Sequence, residues 1–378
     1  MQKADILIFI IVTILMIIGG VFSYSLPSFL EMRTGLSQYH FVLRYIIISF
    51  TGIGIMAWFA SLNPDKWFER IGWGILIVSA ILLVIMPFLP SQLAPTINGA
   101  RRWINLGIVK LAPVEFFKIG MIFFLSWTFT RKMGNKTLGE ELKQILIYFG
   151  FLGFFWFFVI AYQSDLGQVI VMLVIFILML LIAGGKFQTV GIISAFGMIV
   201  FIIAILIKPY RMERIRVWLN RMSEIFFPNS DTHTAIISNG QIQQSLNAIY
   251  HGGVFGTGVG NGIFKLGFLS DVHTDFVLSG IAEESGIIGI SVILILISAL
   301  IYRIFKISYR SEKKEYQLFA FGIGSLIAIQ FIFNALGVTS MIPLKGLTVP
   351  FLSYGGSSLL ALCMGIGMVL MISKKAKL

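Results

Sequence analysis

Ile6-Leu-Ile-Phe-Ile-Ile-Val-Thr-Ile-Leu-Met-Ile-Ile-Gly-Gly-Val-Phe-Ser-Tyr-Ser-Leu26 runs for 21 residues without a charged side chain. A helix of about 20 apolar residues spans the hydrocarbon layer of a bilayer. The run is too long for the apolar part of a secretory leader and lacks a small-residue cleavage site, so it is expected to be the first membrane helix. Nine further segments repeat the pattern, at about 41–61, 71–89, 113–130, 145–162, 166–183, 187–207, 276–302, 316–342 and 354–373. The fifth and sixth are short, parted only by Gln163-Ser164-Asp165. The expected fold is therefore an all-α polytopic membrane protein of about ten transmembrane helices, read as one unit over 1–378, with a single large extracytoplasmic loop, 208–275, between helices 7 and 8.

Composition agrees. The 378 residues are 57% hydrophobic and 12% charged, with mean hydropathy +0.91. A water-soluble domain of this length carries far more polar surface. The net charge of +12 would suggest nucleic acid in a soluble chain; here it reads as membrane anchors and an anionic substrate, with no nucleic-acid partner. The only cysteine, Cys363, lies in the last apolar segment, so no intrachain disulfide can form.

Lysine and arginine orient the chain. With the N-terminus in the cytoplasm, the inner segments hold 16 of the 29 basic residues and the outer segments 11; Arg44 and Lys118 fall within helices. Six of the outer 11 lie in the long loop 208–275, which is exempt from the positive-inside rule. Both termini are then cytoplasmic, with Lys374, Lys375 and Lys377 as the C-terminal anchor. Within the loop, Ile215, Trp218, Leu219, Met222 and Phe226 recur at helical spacing among Arg211, Arg214 and Arg221, the pattern of a basic amphipathic helix in the membrane interface. A second short helix is expected near Gly240–Tyr250. The seven glycines of 252–267 contain neither a Walker nor a dinucleotide fingerprint, so this stretch reads as a mobile re-entrant or surface loop. The four histidines, His40, His233, His251 and His273, show no metal-ligand spacing.

A few polar residues lie where they are costly. Glu115 and Lys118 stand three apart inside the fourth apolar segment, either as a structural ion pair between helices or as a contact to phosphate. Arg101-Arg102-Trp103 precedes that helix. Its guanidiniums suit phosphate oxygens and its indole suits a sugar face, although Arg-Trp pairs also tether loops to headgroups. Asp165 reads as a buried charge or an N-cap. His273-Thr274-Asp275-Phe276 opens the eighth helix. A carboxylate at Asp275, on the edge of the apolar layer, would be raised toward the pKa of a useful base, unless it merely caps the helix. Glu283 and Glu284 lie two to three turns deeper in the same helix, where one could face a polar cavity. Pro343 to Ser358 holds two prolines and Ser353-Tyr354-Gly355-Gly356-Ser357-Ser358, non-helical backbone of the kind that lines a cavity, or a plain capped helix start.

Taken together, Gly99-Ala100-Arg101-Arg102-Trp103, Pro113-Val114-Glu115-Phe116-Phe117-Lys118, Asp165-Leu166-Gly167, Gln244-Ser245-Leu246, Gly252-Gly253, His273 through Gly286 and the 343–358 segment closely resemble the SEDS family (shape, elongation, division and sporulation) over nearly the whole chain. The likeness is closer to its division member than to its elongation member. It implies a ten-helix peptidoglycan glycosyltransferase that polymerises lipid II, the undecaprenyl-pyrophosphate-linked disaccharide peptide, in the bacterial cytoplasmic (inner) membrane with an extracytoplasmic active site. It puts the essential aspartate on Asp275 and cavity residues on Arg101, Glu115 and Lys118. It also implies a class B penicillin-binding transpeptidase and other division membrane proteins as partners. On this reading Asp275 takes the proton of the attacking hydroxyl, and Arg101, Arg102 and Lys118 meet the charge of the leaving pyrophosphate. A divalent cation (Mg or Mn) could share that task, although no dedicated cage is visible. Trp103, Glu115, His273, Thr274, Ser353 and Ser357 complete the expected substrate-binding set. Two departures from the family pattern, Val114 for serine and Ser270-Asp271 for Pro-Glu, leave the proposed base untouched. The competing expectations are a lipid II flippase, an elongation-type polymerase and a scaffold for the transpeptidase.

Overall fold

The computed structural model describes residues 4–29, 35, 37–97, 99–105, 107, 110–132, 137–226, 240–343 and 346–376. Asn98, His233, Lys345 and Lys377 lie outside these. Among the described residues the chain forms twelve α-helices: α1 (Ile6–Ser25), α2 (Gln38–Ser61), α3 (Pro64–Ile85), α4 (Pro113–Lys132), α5 (Leu138–Ala161), α6 (Leu166–Ile182), α7 (Phe187–Leu206), α8 (Pro209–Phe226), α9 (Gln241–Gly252), α10 (Val277–Arg310), α11 (Lys314–Val338) and α12 (Gly356–Ser373). Ten of them match the ten expected segments, and eight of those are both long and apolar enough to cross a bilayer. The chain is a multi-pass membrane protein. Helix α6, at 17 residues, is shorter, and α4 is the helix that carries Glu115 and Lys118.

Local chemistry sets several helix starts. Asp5 caps α1, accepting from Leu7 and Ile8 N–H, while its second oxygen pairs with Arg303 at 2.7 Å. Asn63 caps α3, with Pro64 at the first position, so α3 begins a full turn and more before the apolar run at 71. The fifth helix is not short: Thr137 and Glu140 form a capping box, and a polar first turn extends the helix back to Leu138. Hydropathy counts only the membrane-buried part of a helix, which is why both starts were placed late.

The interior is built on α4, α11 and α12. In α12, 83% of the apolar window is buried, and in α11 72%, against 22–44% in the other spanning helices. Close approach needs small residues. Gly120 of α4 lies against the Leu76 backbone of α3, and Gly72 of α3 lies against the ring of Phe123, so a side chain at either would push the pair apart.

The loops segregate to two ends. The termini and the α2–α3, α4–α5, α6–α7 and α10–α11 connections gather at one, where Asp65 meets Lys313 and Lys375 at 2.7 and 2.8 Å and Arg131 bridges Glu69 and Glu315. The other end holds a two-stranded antiparallel hairpin, β1 (Ile104–Asn105) with β2 (Lys110–Leu111), together with α8, α9 and the loops 253–276 and 340–355.

The glycine-rich segment differs from the expected mobile loop. Helix α10 is broken at Gly286 (φ 66°, ψ −166°). Residues 253–258 fill the break: Thr257 and Gly258 N–H donate to Glu283 and Glu284 C=O at 3.0 Å each, while Ile287 and Ile288 N–H donate to Gly253 and Val254 C=O. Backbone groups freed at membrane depth must be satisfied by protein. Gly256 and Gly286 are required because a Cβ on either would meet the other segment's backbone, and both hold positive φ. Two carboxylates fasten the insert. Glu283 accepts from Ile263 and Phe264 N–H at 2.6 and 3.2 Å; Glu284 pairs with Lys265 at 2.7 Å and accepts from Ser25. Neither opens into a polar cavity, so the sequence reading that placed one there is corrected.

Candidate active site

Asp275 closes a turn whose amides at Thr274, Asp275 and Phe276 all donate to Asp271 C=O, and α10 begins two residues later. The loop before α12 lies alongside: Gly346 packs so close to the Asp275 carboxylate that a side chain there would collide with Oδ2. Burial, then the like charges of Asp271 and Asp165, push the Asp275 carboxyl up to about 6, against the opposing pull of Arg102 and Arg214. Asp165, which caps α6 through Gln168 N–H, is also raised, first by burial, with Arg102 the largest opposing influence. Three carboxylates and two guanidiniums, from four separate stretches of chain, thus share one field at the outer end of the bundle. His273 is half-buried beside Tyr354, and burial holds its imidazole below the ordinary value, hence neutral near pH 7.

On the far side of the 346–358 loop is a cleft of about 340 Å³. His40, Arg44, Trp103, Lys110, Glu115, Tyr354 and the Gly355–Ser358 entry to α12 line it. Its basic groups come from α2 and β2. Arg44 lies within an expected helix, and the cost of a charge there, which singles out Glu115 and Lys118, marks it equally although its sequence context assigns it no role. Lys110 and Arg214 gave no signal beyond their charge.

The expected substrate contacts divide. Trp103 and Glu115 line the cleft, and Arg102 lies by the two aspartates while its Nε donates to Gln163 C=O at 2.8 Å. Arg101 is turned away: Nη1 donates to Pro87 and Leu89 C=O and Nε to Thr96, so it staples the 87–96 loop. Lys118 sits in a closed ring, 2.7 Å from Glu115 and 2.8 Å from Gln168 Oε1, while Gln168 Nε2 donates to the other Glu115 oxygen at 2.9 Å. Of the two readings open for this pair, the helix lock between α4 and α6 fits. Ser357 bridges Lys110 C=O and Ala112 N–H, so it joins β2 to α12. Ser353 donates to Thr274 C=O at 2.6 Å, and Thr274 bonds back to Asp271, so neither points at a ligand. Among the described residues no group of three His, Cys, Asp or Glu side chains is arranged to hold a metal ion. No chemical step is routed through a cation.

A half-buried carboxylate, two arginines and a basic cleft at one end of a helical bundle suit a substrate that is anchored in lipid and anionic at its head. The class is that of polytopic membrane proteins working at one lipid–water boundary. The FtsW/RodA/SpoVE family, described as "Cell cycle protein", matches residues 5–378, and the chain belongs to it. It is 37% identical over 381 residues to the "Probable peptidoglycan glycosyltransferase FtsW" of Helicobacter pylori (strain ATCC 700392 / 26695), covering 98% of both chains. It is 33% identical over 373 residues to "Stage V sporulation protein E" of Bacillus subtilis, covering 99% of this chain and 98% of that one. The Thermus thermophilus rod shape determining protein RodA shares the fold, with TM-score 0.66, 21% identity and coverage of 100% and 99%. So does a chain of a peptidoglycan synthase complex described for its coordination of polymerization and crosslinking, with TM-score 0.72, 22% identity and coverage of 99% and 98%.

Proposed function

We propose that the chain joins lipid II units into glycan strands, with Asp275 as general base. The family and the relatives named as FtsW make it a peptidoglycan glycosyltransferase of the division type. The observation that supports the residue assignment is the half-buried Asp275 carboxylate, packed against Gly346 at the bundle end in the field of Arg102 and Arg214. In the reaction, a sugar hydroxyl of one lipid-linked chain attacks the anomeric carbon of another. The new C–O bond forms as the bond to the diphosphate breaks, and the hydroxyl proton passes to Asp275. Negative charge gathers on the diphosphate, where Arg102, Arg44 and Lys110 are the nearest candidates to stabilise it. Lys118 drops out of that role because its ammonium is closed into the ring with Glu115 and Gln168, and Arg101 because it is turned to the 87–96 loop, away from the two aspartates.

The segregation of loops supports an orientation with both termini in the cytoplasm of the bacterial inner membrane and the site on the outer side. The ion-pair belt lies at the end that carries the termini and most of the basic residues. The synthase-complex neighbour supports a class B penicillin-binding transpeptidase as partner. A flippase would be expected to carry its charges near the midplane, whereas Asp275, Arg102 and Asp165 lie at helix ends. The test is polymerisation of lipid II by the purified protein, alone and with such a transpeptidase. Asp275→Asn should insert and fold yet form no chains, and normal polymer from it would discard the assignment.

A further inference from the structure

Three consecutive carbonyls lead into α10, and each is held from outside its own segment. His273 C=O accepts from Tyr354 N–H at 2.9 Å, and Thr274 C=O from Ser353 Oγ at 2.6 Å. Asp275 C=O accepts from Asn334 Nδ2 at 2.7 Å. The first two donors belong to the loop before α12. The third comes from the apolar body of α11, where Asn334 is 2% exposed. Its other amide proton goes to Leu347 C=O at 2.6 Å. One side chain therefore ties the backbone of Asp275 to the residue that follows Gly346, and Gly346 is the residue packed against the Asp275 carboxylate.

An amide inside a membrane helix is costly unless its hydrogen bonds are made. Here both N–H donors are used on the two segments that flank the carboxylate, while the buried Oδ1 has no hydrogen-bond partner among the described residues, and neither bond serves the packing of α11 against its neighbour helices. A carboxylate set between two strands of irregular backbone has no helix ladder to fix it. Its position is only as firm as the cross-links between those strands.

We propose that Asn334 is a positioning residue for the transfer reaction, holding the Asp275 and Leu347 backbones at a set separation so that the carboxylate stays pressed against Gly346 instead of turning out to water. This rests on the reading of Asp275 as base and adds to it a residue that touches no substrate. The charges facing the carboxylate are Asp271 in its own turn, Asp165 at the start of α6, Arg102 before β1 and Arg214 on α8. All of them remain when Asn334 is altered. Loss of the tie would thus act through position and hydration alone: a better-solvated carboxylate returns toward its ordinary pKa and becomes a weaker, misplaced base.

The test uses the full chain in lipid nanodiscs with lipid II as substrate. Asn334→Ala removes both donors, Asn334→Leu removes them at nearly constant size without adding a charge, and Asn334→Ser keeps one. For the first two, kcat should fall about 100-fold with KM within about twofold, as expected when a reacting group is displaced without loss of substrate contacts. The acid limb of the kcat–pH profile should move down by about one pH unit. Hydrogen exchange should quicken in both 271–276 and 346–353, and Asn334→Ser should be intermediate on every readout. A kcat that falls only in proportion to the folded fraction, with the acid limb unmoved, would overturn the proposal; if the alanine variant fails to insert, the serine variant decides. Asp275→Asn run in parallel keeps the two ideas apart. If it is inactive while the Asn334 variants turn over normally, only the positioning role is lost. If it is active, the base assignment falls.

Discussion

Replacing Lys118 by methionine tests whether the buried charges of α4 act on substrate or hold helices together. The side chain is 1% exposed and its Nζ has two partners, Glu115 at 2.7 Å and Gln168 at 2.8 Å. Methionine fills a similar volume without charge or donors. It would leave the Glu115 carboxylate, 8% exposed, with Gln168 Nε2 as its one remaining partner in the ring, and Gln168 Oε1 with none there. Removing one member of a buried pair costs about 3–5 kcal/mol, whereas replacing both by neutral groups is often neutral. Lys118→Met should therefore destabilise the folded protein by about 3–5 kcal/mol. The double variant Lys118→Met/Glu115→Gln should recover most of that loss, because two facing glutamines can still pair. Equilibrium unfolding in bicelles measures the stability, and lipid II polymerisation by the folded fraction measures function. If Lys118→Met kept full stability but lost polymerisation, and the double variant did not restore it, the lock reading would be wrong and Lys118 would belong to the substrate site.

Other outcomes follow from the same structure. A base must be ionised to act, so kcat should climb with pH through about 6, where the Asp275 carboxyl titrates, and level off above it; a rate flat from pH 4 to 8 would contradict this. The sign for stability is the reverse. The folded state holds this proton between the ordinary value of 3.8 and about 6, so the group's contribution to stability is lost as pH rises through that window, a trend that should vanish in Asp275→Asn unfolding curves. Arg44→Ala should raise KM for lipid II about tenfold, the worth of one charge-assisted hydrogen bond, since Arg44 lines the cleft. Gly286→Leu should abolish stable insertion, because a side chain there meets the Val254 and Gly256 backbone; wild-type expression and melting would show that the 253–258 insert is dispensable.

The transmembrane layout was legible because the bilayer imposes a single period and a single length on every spanning segment. What hydropathy could not carry was anything held by backbone hydrogen bonds. The run from Gly252 to Gly267 reads as a mobile re-entrant or surface loop because its partner, the break at Gly286, lies 30 residues beyond Gly256 in a helix that reads as continuous. The site was half legible. Asp275 stood out by its position at a membrane edge, and Arg102 and Trp103 by their neighbours. Arg101 could not be read from sequence, because a guanidinium that staples carbonyls at 87 and 89 has the same signature as one that awaits a phosphate. Ser353 and Ser357 show a similar ambiguity: their hydroxyls bond backbone, and a serine at a helix entry serves backbone as readily as a ligand. Asn334 carried a usable sign, an amide in the apolar part of α11, but its partners are two loops that only the tertiary fold brings to it.

The start of α10 shows why the carboxylate needs so much support. Asp275 stands just before a helix N-terminus, where the aligned peptide dipoles favour the ionised form by about 0.3–1 kcal/mol. At about 1.4 kcal/mol per pH unit, that alone would lower the pKa by less than one unit. Burial and the charges of Asp271 and Asp165 act the other way and prevail. A base raised by burial keeps its strength only while it stays buried, so the backbone bonds from Tyr354, Ser353 and Asn334 matter to the chemistry as well as to the fold. The break at Gly286 adds a second consequence. Residues 277–285 form a short outer half-helix whose far end is bonded to the 253–258 insert rather than to the rest of α10. A force applied to the outer loops would therefore reach Asp275 through this half-helix without first bending the long inner half of α10 against α11. Cross-linking residue 254 to residue 288 by engineered cysteines would remove that freedom. If outer-loop motion is needed for turnover, the oxidised form should bind lipid II normally and polymerise slowly, with full recovery on reduction; equal rates in both redox states would mean that the half-helix stays fixed during catalysis.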